Sequence, residues 1–288
     1  MITLFNNDCL KVLPTLKSKS VDLICADIPY NIGVAYKSKL EWDVNTDYMN
    51  FVTTSIRESE RILKDSGSFY LFHNNISTLS KIINWIEENT RFKLMQMIVW
   101  NKYFKGCRKE DYLKGYIVEN RNNNYYKMVE YILFFVFDNT WKLKQRRTEL
   151  GLSQSVISKE ILSKNGKPTG WYSNIESGKY LPTKETIKPI TKHLGLTLKD
   201  LRHTFNNQKK HHSVWNYSIE PKLYHPTQKP VKLMENIILH SSNLGDTVLD
   251  FVMGVGTTGV ASINLDRNFI GIEINKKYFE YAKERILG

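Results

Sequence analysis

The stretch Asp250-Phe-Val-Met-Gly-Val-Gly-Thr-Thr-Gly259 lies near the C-terminal end of a chain of 288 residues. Its last six residues fit the G-x-G-x-x-G pattern of a turn that binds nucleotides. The residues before the turn (247–250) predict a strand, and those after it (257–265) predict a helix. A dinucleotide-binding fold normally opens with such a turn and continues for about a hundred or more residues. The late position of this turn therefore needs an explanation.

An acidic residue follows the turn at the end of a second predicted strand (268–273). In an adenosine site the glycines let the backbone approach the ligand, and an acid accepts hydrogen bonds from the ribose hydroxyls. Glu273 is placed for that role, whereas no Gly-Lys-Ser/Thr follows the turn to indicate a P-loop. Only 15 residues follow Glu273, so the sheet has to be completed by N-terminal strands. That order favours a ligand with one adenosine, although NAD, FAD and S-adenosylmethionine all stay open.

The rest of the chain predicts an α/β domain interrupted by a helical insert. Four predicted strands share short apolar runs: 21–26, 68–73, 95–100 and 131–137. Amphipathic helices are predicted between them over 47–63 and 79–88, and a last helix over 276–287. From 141 to 201 only short helical pieces are predicted. The expected fold is a doubly wound, mostly parallel sheet in segments 1–140 and 213–288, with an all-α insert at 141–212.

Most of the excess positive charge lies in the insert. The net charge of the chain is +12, and residues 142–210 contain 15 Lys or Arg against 5 Asp or Glu, compared with 26 against 24 elsewhere. A local basic surface of this kind is typical of a nucleic-acid-binding protein. The alternative is a solvated, lysine-rich face without a ligand.

Composition excludes several classes of protein. With 41% hydrophobic and 24% charged residues, the chain is expected to be globular and not disordered. The first ten residues include Asn6, Asn7 and Asp8 and so do not resemble a signal peptide, and the apolar run at 131–137 is too short for a membrane span. Three cysteines are too few for a disulfide framework or a zinc cluster. The prediction is a cytoplasmic protein with no metal site and no membrane segment.

Asp27-Ile-Pro-Tyr30 follows the strand predicted at 21–26. The carboxyl ends of strands are where α/β sheets carry their ligand-binding and catalytic residues. The Asp27 carboxylate and the Pro29 carbonyl can each accept an N–H from an exocyclic amine of a base. Proline stiffens the loop, and Tyr30 can stack on a base taken out of the helix. The alternative is a plain turn with a packing tyrosine.

Taken together, these motifs resemble those of the β-class DNA amino-methyltransferases, over most of residues 1–138 and 214–286. In that family the catalytic motif comes first, the target-recognition region next and the cofactor motif last, as here. The matching segments, in chain order, are Asn7–Leu10, Val21–Tyr30, Trp42-Asp43, Arg61–Lys64 with Gly67-Ser68, Val99–Lys102, Glu130–Leu133 and the hexapeptide His225-Pro-Thr-Gln-Lys-Pro230. Two positions depart from the family pattern: Ile28 replaces a proline, and Val252 replaces an aromatic residue that packs against the cofactor.

The resemblance implies methyl transfer from S-adenosylmethionine to a flipped base in double-stranded DNA. The implied catalytic residues are Asp27, Pro29 and Tyr30. The implied cofactor-binding residues are Asp8, Thr227, Lys229, Asp250, Phe251, Val252, Gly254, Gly256, Thr257, Thr258, Glu273 and Asn275. A homodimer and a partner restriction endonuclease stay open.

The insert resembles a phage-repressor-type helix-turn-helix domain. Its opening (144–154), its turn after the recognition helix (175–182) and its last helix (193–201) carry the resemblance. The recognition helix is then expected over 169–176, after a turn (163–168) longer than that family prefers. The implied DNA-binding residues are Arg146, Arg147, Gln154 and Lys167 at phosphates, with Thr169, Trp171, Ser173 and Asn174 near bases. The alternative is a structural insert that does not touch DNA.

The expected product is N6-methyladenine. Methylation of cytosine at carbon-5 would need a nucleophilic cysteine directly after a proline. None of Cys9, Cys25 and Cys107 follows a proline. Cytosine N4 is also an exocyclic amine and is the nearer alternative, but N4 enzymes often have Ser where this chain has Asp27. Two further alternatives are a DNA-binding regulator with a degenerate methylase fold and an NAD-dependent oxidoreductase.

Overall fold

A computed structural model of the chain describes residues 1–31, 47–108, 128–163, 165–180, 182–206, 212–220 and 228–288. Within these ranges the chain divides into two compact units. The first consists of Met1–Val136 with Phe205–Gly288, and the second of Phe137–Thr204.

The first unit is built on a sheet of eight strands. They are β1 Ile2–Asn6, β2 Val21–Ala26, β3 Leu63–His73, β4 Phe92–Asn101, β5 Val129–Phe137, β6 Val214–Asn216, β7 Thr247–Asp250 and β8 Asn268–Glu273. Six of these include or coincide with the predicted strands, whereas β1 and β6 were not predicted.

Helices cover the sheet and build the second unit. In chain order they are α1 Cys9–Val12, α2 Tyr48–Ile62, α3 Ile76–Asn89, α4 Trp141–Glu149, α5 Gln154–Ser158, α6 Trp171–Glu176, α7 Ile187–Leu194, α8 Leu198–Leu201, α9 Val231–Ser241, α10 Thr257–Asn264 and α11 Lys276–Leu287. The predicted helices at 47–63, 79–88, 257–265 and 276–287 correspond to α2, α3, α10 and α11. Helix α9 was not predicted.

The strand order of the sheet is β1-β8-β7-β2-β3-β5-β4-β6. Strands β1, β8, β7, β2 and β3 run parallel to one another, and β5 pairs antiparallel with β3. The C-terminal strands β7 and β8 thus lie between the N-terminal strands β1 and β2. This confirms the expected mostly parallel sheet and the prediction that N-terminal strands complete it.

One apolar layer of the first unit lies between the sheet and the helices α9, α10 and α11. Leu23 of β2, Tyr70 of β3 and Phe134 of β5 are buried from the sheet side, and the Tyr70 and Phe134 rings stack at 4.7 Å. Ile237 of α9 and Ala261 of α10 are fully buried in the same cluster. Burial of such side chains stabilises the fold by about 1.5–3 kcal/mol each for the larger ones. The apolar layer therefore fixes the strand ends that carry the polar groups.

The second unit has a small apolar core of its own. Its buried residues are Leu143, Ile157, Tyr172, Ile175, Ile190, Leu194 and Leu201, one or more from each of its five helices. Between α5 and α6 the chain forms a short closed loop, in which Leu162 bridges Pro168 and the Ser163 N–H donates to the Lys167 carbonyl at 2.8 Å. A helix-turn-helix joins its helices with about 3–4 residues, so this connection is longer than the motif requires.

A search of the described ranges for membrane spans finds no helix both long and apolar enough to cross a bilayer.

Candidate active site

The carboxyl ends of the parallel strands bring the predicted site residues to one edge of the sheet. Asp27 follows β2, the glycine turn follows β7, and Glu273 ends β8. Strands β2 and β7 are direct neighbours, with Leu23 opposite Val248. The predicted catalytic loop and the predicted cofactor turn therefore lie next to each other, as ligand sites do in open α/β sheets.

The Asp27 carboxylate is held through both of its oxygens. The Tyr30 hydroxyl lies 2.8 Å from Oδ1, and the Lys229 ammonium lies 2.7 Å from Oδ2. Lys229 immediately precedes Pro230, whose carbonyl accepts the first hydrogen bonds of α9. Hydrogen bonds from charged donors such as Lys229 are about twice as strong as neutral ones. The acid is thus fixed by Tyr30 of its own loop and by Lys229, which is far from it in sequence.

A second carboxylate, Glu130 at the start of β5, completes the cluster. Its Oε2 atom lies 3.1 Å from the Lys229 ammonium and 2.9 Å from the Tyr30 hydroxyl, and its Oε1 atom accepts a hydrogen bond from Lys102. Two carboxylates and two ammonium groups alternate, so the charges of the cluster balance. The Lys229 ammonium also lies within 6 Å of three aromatic ring centres, those of Tyr30 at 5.3 Å, Trp100 at 5.7 Å and Phe72 at 5.8 Å.

Neighbouring charges decide the protonation of this cluster. Burial raises the pKa of Glu130, but Lys229 and Lys102 outweigh it and lower that pKa to about 2. Burial lowers the pKa of Lys229, but Asp27 and Glu130 outweigh it and raise that pKa above its ordinary value. Burial and then both carboxylates raise the pKa of Tyr30 well above its ordinary value. At neutral pH Glu130 is therefore ionised, Lys229 charged and Tyr30 a hydrogen-bond donor.

His73 at the end of β3 lies against the Asp27–Tyr30 loop. Its ring centre is 4.7 Å from that of Tyr30 at an angle of 45°. The Asn75 N–H donates to Nδ1 at 2.9 Å, so the ring proton is on Nε2, which faces the Tyr48 hydroxyl at 3.2 Å. These contacts fix the imidazole, which in turn supports the ring of Tyr30.

Two carboxylates shape the glycine turn. Asp250 accepts the Val252 N–H at 3.1 Å and the Thr258 hydroxyl at 2.5 Å. Glu273 accepts the Gly254 N–H at 2.9 Å and the Asn275 N–H at 2.7 Å. Glu273 thus ties the glycine turn after β7 to the segment after β8.

Gly254 and Gly256 make the close approach of a ligand to this turn feasible. Both have positive φ, +53° and +79°, which side-chain-bearing residues rarely adopt. A Cβ atom at Gly254 would meet no atom within 4 Å, whereas one at Gly256 would lie 2.8–3.1 Å from Ile286 and Ala282 of α11. Gly254 therefore faces open space on the ligand side, and Gly256 faces the packed helix.

The remaining predicted cofactor residues differ in exposure. Asp8 caps α1 by accepting the Leu10 N–H at 2.9 Å, at the end of β1, which pairs with β8. Phe251 is buried in the core, so Val252 beside it is the half-exposed side chain. Asn275 caps α11 through the N–H groups of Lys277 and Tyr278. Thr257 and Thr258 are buried at the start of α10. Thr227, Trp42 and Asp43 lie outside the described residues.

Asp250 gives the site a specific dependence on pH. Burial raises its pKa to about 7, with Asp27 and Glu273 adding to the rise and the bonds from Thr258 and Val252 opposing it. An acid that ionises less easily in the folded chain than in the unfolded chain destabilises the fold as pH rises. Relative to Asp250→Asn, the wild-type free energy of unfolding is expected to fall between pH 3.8 and about 7. Urea unfolding of both proteins across this range measures it, and a constant difference would contradict it.

A family model described as DNA methylase matches residues 21–284, which include both the catalytic loop and the glycine turn. The chain belongs to the DNA methylase family.

A curated relative and two solved structures resemble this DNA methylase over nearly its whole length. The DNA adenine methyltransferase YhdJ of Escherichia coli K12 is 28% identical over 99% of this chain and 82% of its own. The M1.HpyAVI–SAM complex is 24% identical and superimposes with a TM-score of 0.58, covering 99% of each chain. The cytosine-N4-specific PvuII DNA methyltransferase is 16% identical with a TM-score of 0.60, covering 100% of this chain and 86% of its own. At these identities the two structures establish the shared fold alone.

Three residues of the site were not assigned a role from the sequence of this DNA methylase. Glu130 and Lys102 lie in segments that matched family motifs, and His73 ends a predicted strand. Each of the three lies at or next to one end of a strand, and residues at strand ends on the same edge of a sheet come close together. This position was the available sign that they belong to the site, whereas their spacing in the sequence gave no sign of it.

In the second unit of the DNA methylase, the predicted DNA-binding residues fall into two groups. Arg147 donates to both oxygens of Glu176 at 2.9 and 2.8 Å, Gln154 donates to the same carboxylate at 3.1 Å, and the Trp171 indole N–H donates to the Ser158 carbonyl at 3.1 Å. These three side chains hold the helices together. The others, at least partly exposed, are Arg146, Lys167, Thr169, Ser173 and Asn174.

Proposed function

We propose that this DNA methylase transfers a methyl group to the N6 amine of adenine in double-stranded DNA. The observation that carries the proposal is the Asp27 carboxylate, held at a strand end directly beside the glycine turn. The curated relative from Escherichia coli is named an adenine methyltransferase, which supports adenine as the base. The shared fold does not decide the base, because a cytosine-N4-specific enzyme has it too.

The glycine turn and the acids around it suit S-adenosylmethionine as the methyl donor, which supplies an electrophilic methyl group on a sulfonium ion. The open space in front of Gly254 lets a ligand approach the backbone of the turn closely, and Glu273 ends β8, the strand position from which an acid binds ribose hydroxyls in such folds. Burial raises the pKa of Asp250, and Asp27 and Glu273 lie near enough to add to that rise. Acidic groups gathered in this way favour a cationic ligand. Asp8 and Val252 are proposed as further contacts of the cofactor.

In the proposed mechanism, the residues of the catalytic loop align the target amine. This amine is a poor nucleophile because its lone pair is delocalised into the base. The Asp27 carboxylate and the Pro29 carbonyl accept its two N–H groups and direct the lone pair towards the methyl group. Transfer would form the N–C bond and break the S–C bond of the sulfonium donor, which would leave as a neutral thioether. Asp27 would stabilise the positive charge on the nitrogen and accept its surplus proton. Alignment and local charge then account for most of the acceleration.

The test is to incubate the protein with tritiated methyl donor and DNA, digest the DNA to nucleosides and separate them by chromatography. Label in N6-methyladenosine supports the proposal, and label in N4-methylcytidine would show that the base is wrong. If no label is transferred while DNA is still bound tightly, the protein is better described as a DNA-binding regulator.

We further propose that the second unit, which corresponds to the insert predicted at 141–212, is a helix-turn-helix domain that binds DNA. Helix α6 would contact the major groove. Gly170, Ser173, Asn174 and Ser177 recur at the spacing of one helix face, and all are at least partly exposed, whereas Tyr172 and Ile175 face the core. Ser173 and Asn174 are thus the proposed base contacts on the helix. The excess of positive charge in the insert supports the same role.

Two adjacent arginines of α4 make contacts of different strength within this unit. Burial raises the pKa of Glu176, but hydrogen bonds from Arg147 and Gln154 outweigh it and lower that pKa below its ordinary value. Arg147→Ala removes both bonds of a half-buried ion pair and leaves Glu176 with Gln154, so it is expected to destabilise the unit by about 1–3 kcal/mol. Arg146 is exposed, pairs with Glu149 at 3.2 Å and donates to the Leu194 carbonyl at 3.3 Å, so Arg146→Ala is expected to cost less, about 0–1 kcal/mol, and to reduce the salt dependence of DNA binding by about one ion.

Calorimetric unfolding and DNA titrations at several salt concentrations measure these two effects. The prediction is contradicted if both arginine variants unfold alike, or if Arg146→Ala binds DNA with the salt dependence of the wild type. A homodimer and a partner restriction endonuclease stay predictions from the family resemblance.

A further inference from the structure

The Lys229 ammonium has three N–H groups and three oxygen acceptors in the cluster around Asp27. They are Asp27 Oδ2 at 2.7 Å, Glu130 Oε2 at 3.1 Å and the Tyr30 hydroxyl at 3.2 Å. Only 7% of the residue is exposed. A lysine in this position has little freedom, because each of its donors is engaged and aromatic rings surround it.

A buried cluster of charges contributes little to the stability of a fold. The buried members of the cluster are Lys229 and Glu130, and replacing a buried ion pair by apolar residues is often neutral or stabilising. A contribution to folding therefore does not explain why these charges are buried. Their direct contact with the carboxylate that receives the target amine offers another explanation.

The geometry around Asp27 leaves that carboxylate one orientation. Lys229 engages Oδ2 and Tyr30 engages Oδ1, so rotation of the carboxylate would break one of the two bonds. Each oxygen keeps a second lone pair for the target amine. Without Lys229, Oδ2 of Asp27 would lose its charged partner, and the carboxylate could rotate about its remaining bond to Tyr30.

We propose that Lys229, itself held by Glu130, is a positioning residue that orients the Asp27 carboxylate and keeps it available to the target amine. This rests on the proposed function, and it assigns to Lys229 a role other than cofactor binding. Glu130 fixes Lys229 from the opposite side, and Lys102 compensates the charge of Glu130. The positioning of Asp27 thus depends on residues contributed by β4, β5 and the segment before α9.

The test compares Lys229→Met, Glu130→Gln, the double variant and Lys229→Arg with the wild type. We expect kcat of Lys229→Met to fall about 100-fold, the size of effect that a misplacement of about 1 Å produces, while KM for DNA and Kd for S-adenosylmethionine change less than about threefold. Lys229→Arg keeps the charge and is expected to recover a large part of kcat. Thermal unfolding of all four variants is measured in parallel.

The double variant separates positioning from charge balance. It removes one cation and one anion, so its Tm is expected to return towards that of the wild type, while kcat stays as low as in Lys229→Met. Recovery of kcat together with Tm would overturn the proposal, as would an unchanged kcat in Lys229→Met. A large rise in Kd for S-adenosylmethionine with kcat retained would return Lys229 to the cofactor site. If the wild type itself transfers no methyl group, the proposed function is wrong and the positioning role falls with it, whereas losses confined to the variants concern positioning alone.

Discussion

Asp27→Ala is expected to lower the rate of methyl transfer by about a thousandfold or more while leaving DNA binding largely intact. The substitution removes the acceptor of the amine proton and the negative charge that stabilises the developing positive charge. Proton transfer by a positioned group contributes about 10²–10⁴-fold, and loss of charge stabilisation adds about 10²–10³-fold. It also leaves the buried Lys229 ammonium with Glu130 as its carboxylate partner.

Asp27→Asn is the informative companion of this variant. It keeps the shape of the side chain but replaces the charge and one acceptor oxygen by an amide, so any activity above that of Asp27→Ala reports alignment without charge. Glu88→Ala, on the exposed end of α3, serves as a control and should transfer methyl at the wild-type rate. Single-turnover label transfer and DNA titrations measure these effects, and turnover persisting in Asp27→Ala would refute the catalytic assignment.

Gly256→Ala and Gly254→Ala are expected to affect different properties most, although the two glycines lie in the same turn. Gly256→Ala should lower stability more, and Gly254→Ala should weaken cofactor binding more. At Gly256 the new Cβ would strain a backbone with φ of +79° and collide with Ile286 and Ala282. Left-handed strain of about 1–2 kcal/mol and overpacking of about 1–3 kcal/mol predict a loss of stability of about 2–5 kcal/mol. At Gly254 the new Cβ would have no such contacts, so only the strain remains.

Cofactor binding is expected to reverse that order. The Cβ atom at Gly254 would project into the open space where the ligand is proposed to lie, and so Gly254→Ala should weaken S-adenosylmethionine binding more than it lowers Tm. Calorimetric titration at a temperature where both variants are folded separates the two effects. Equal losses of stability in both variants would contradict the packing of Gly256 against α11.

Short apolar runs predicted much of the sheet, because buried parallel strands are uniformly apolar. Strands β2 and β5 have this property, and both were predicted. By contrast, the five residues of β1 are mostly half-buried at the sheet edge and have neither a long apolar run nor a strict alternation. Helix α9 carries apolar residues on much of its surface, so it has no clear polar face to mark its period.

The site was predictable in its motifs but not in its contacts. Asp27 and the glycine turn could be assigned to strand ends, and strand order then makes them neighbours. Contact between Lys229 and Asp27, 202 positions apart in the chain, depends on where α9 begins relative to β2, which no local pattern encodes. For the same reason, the pairing of Arg147 with Glu176 was not predicted, since both are charged residues that a helical pattern assigns to the surface.

The position of β7 and β8 between β1 and β2 has a consequence for biogenesis. During synthesis, β2 leaves the ribosome more than 220 residues before the strand that pairs with it at Leu23 and Val248. Until then that edge of β2 stays without its native neighbour, and the pairing of β2 with β7 closes a loop of more than 220 residues. High contact order of this kind slows folding and prolongs exposure of apolar strand edges. The edge of an apolar strand in the middle of the sheet therefore stays uncovered until the last strands have been synthesised.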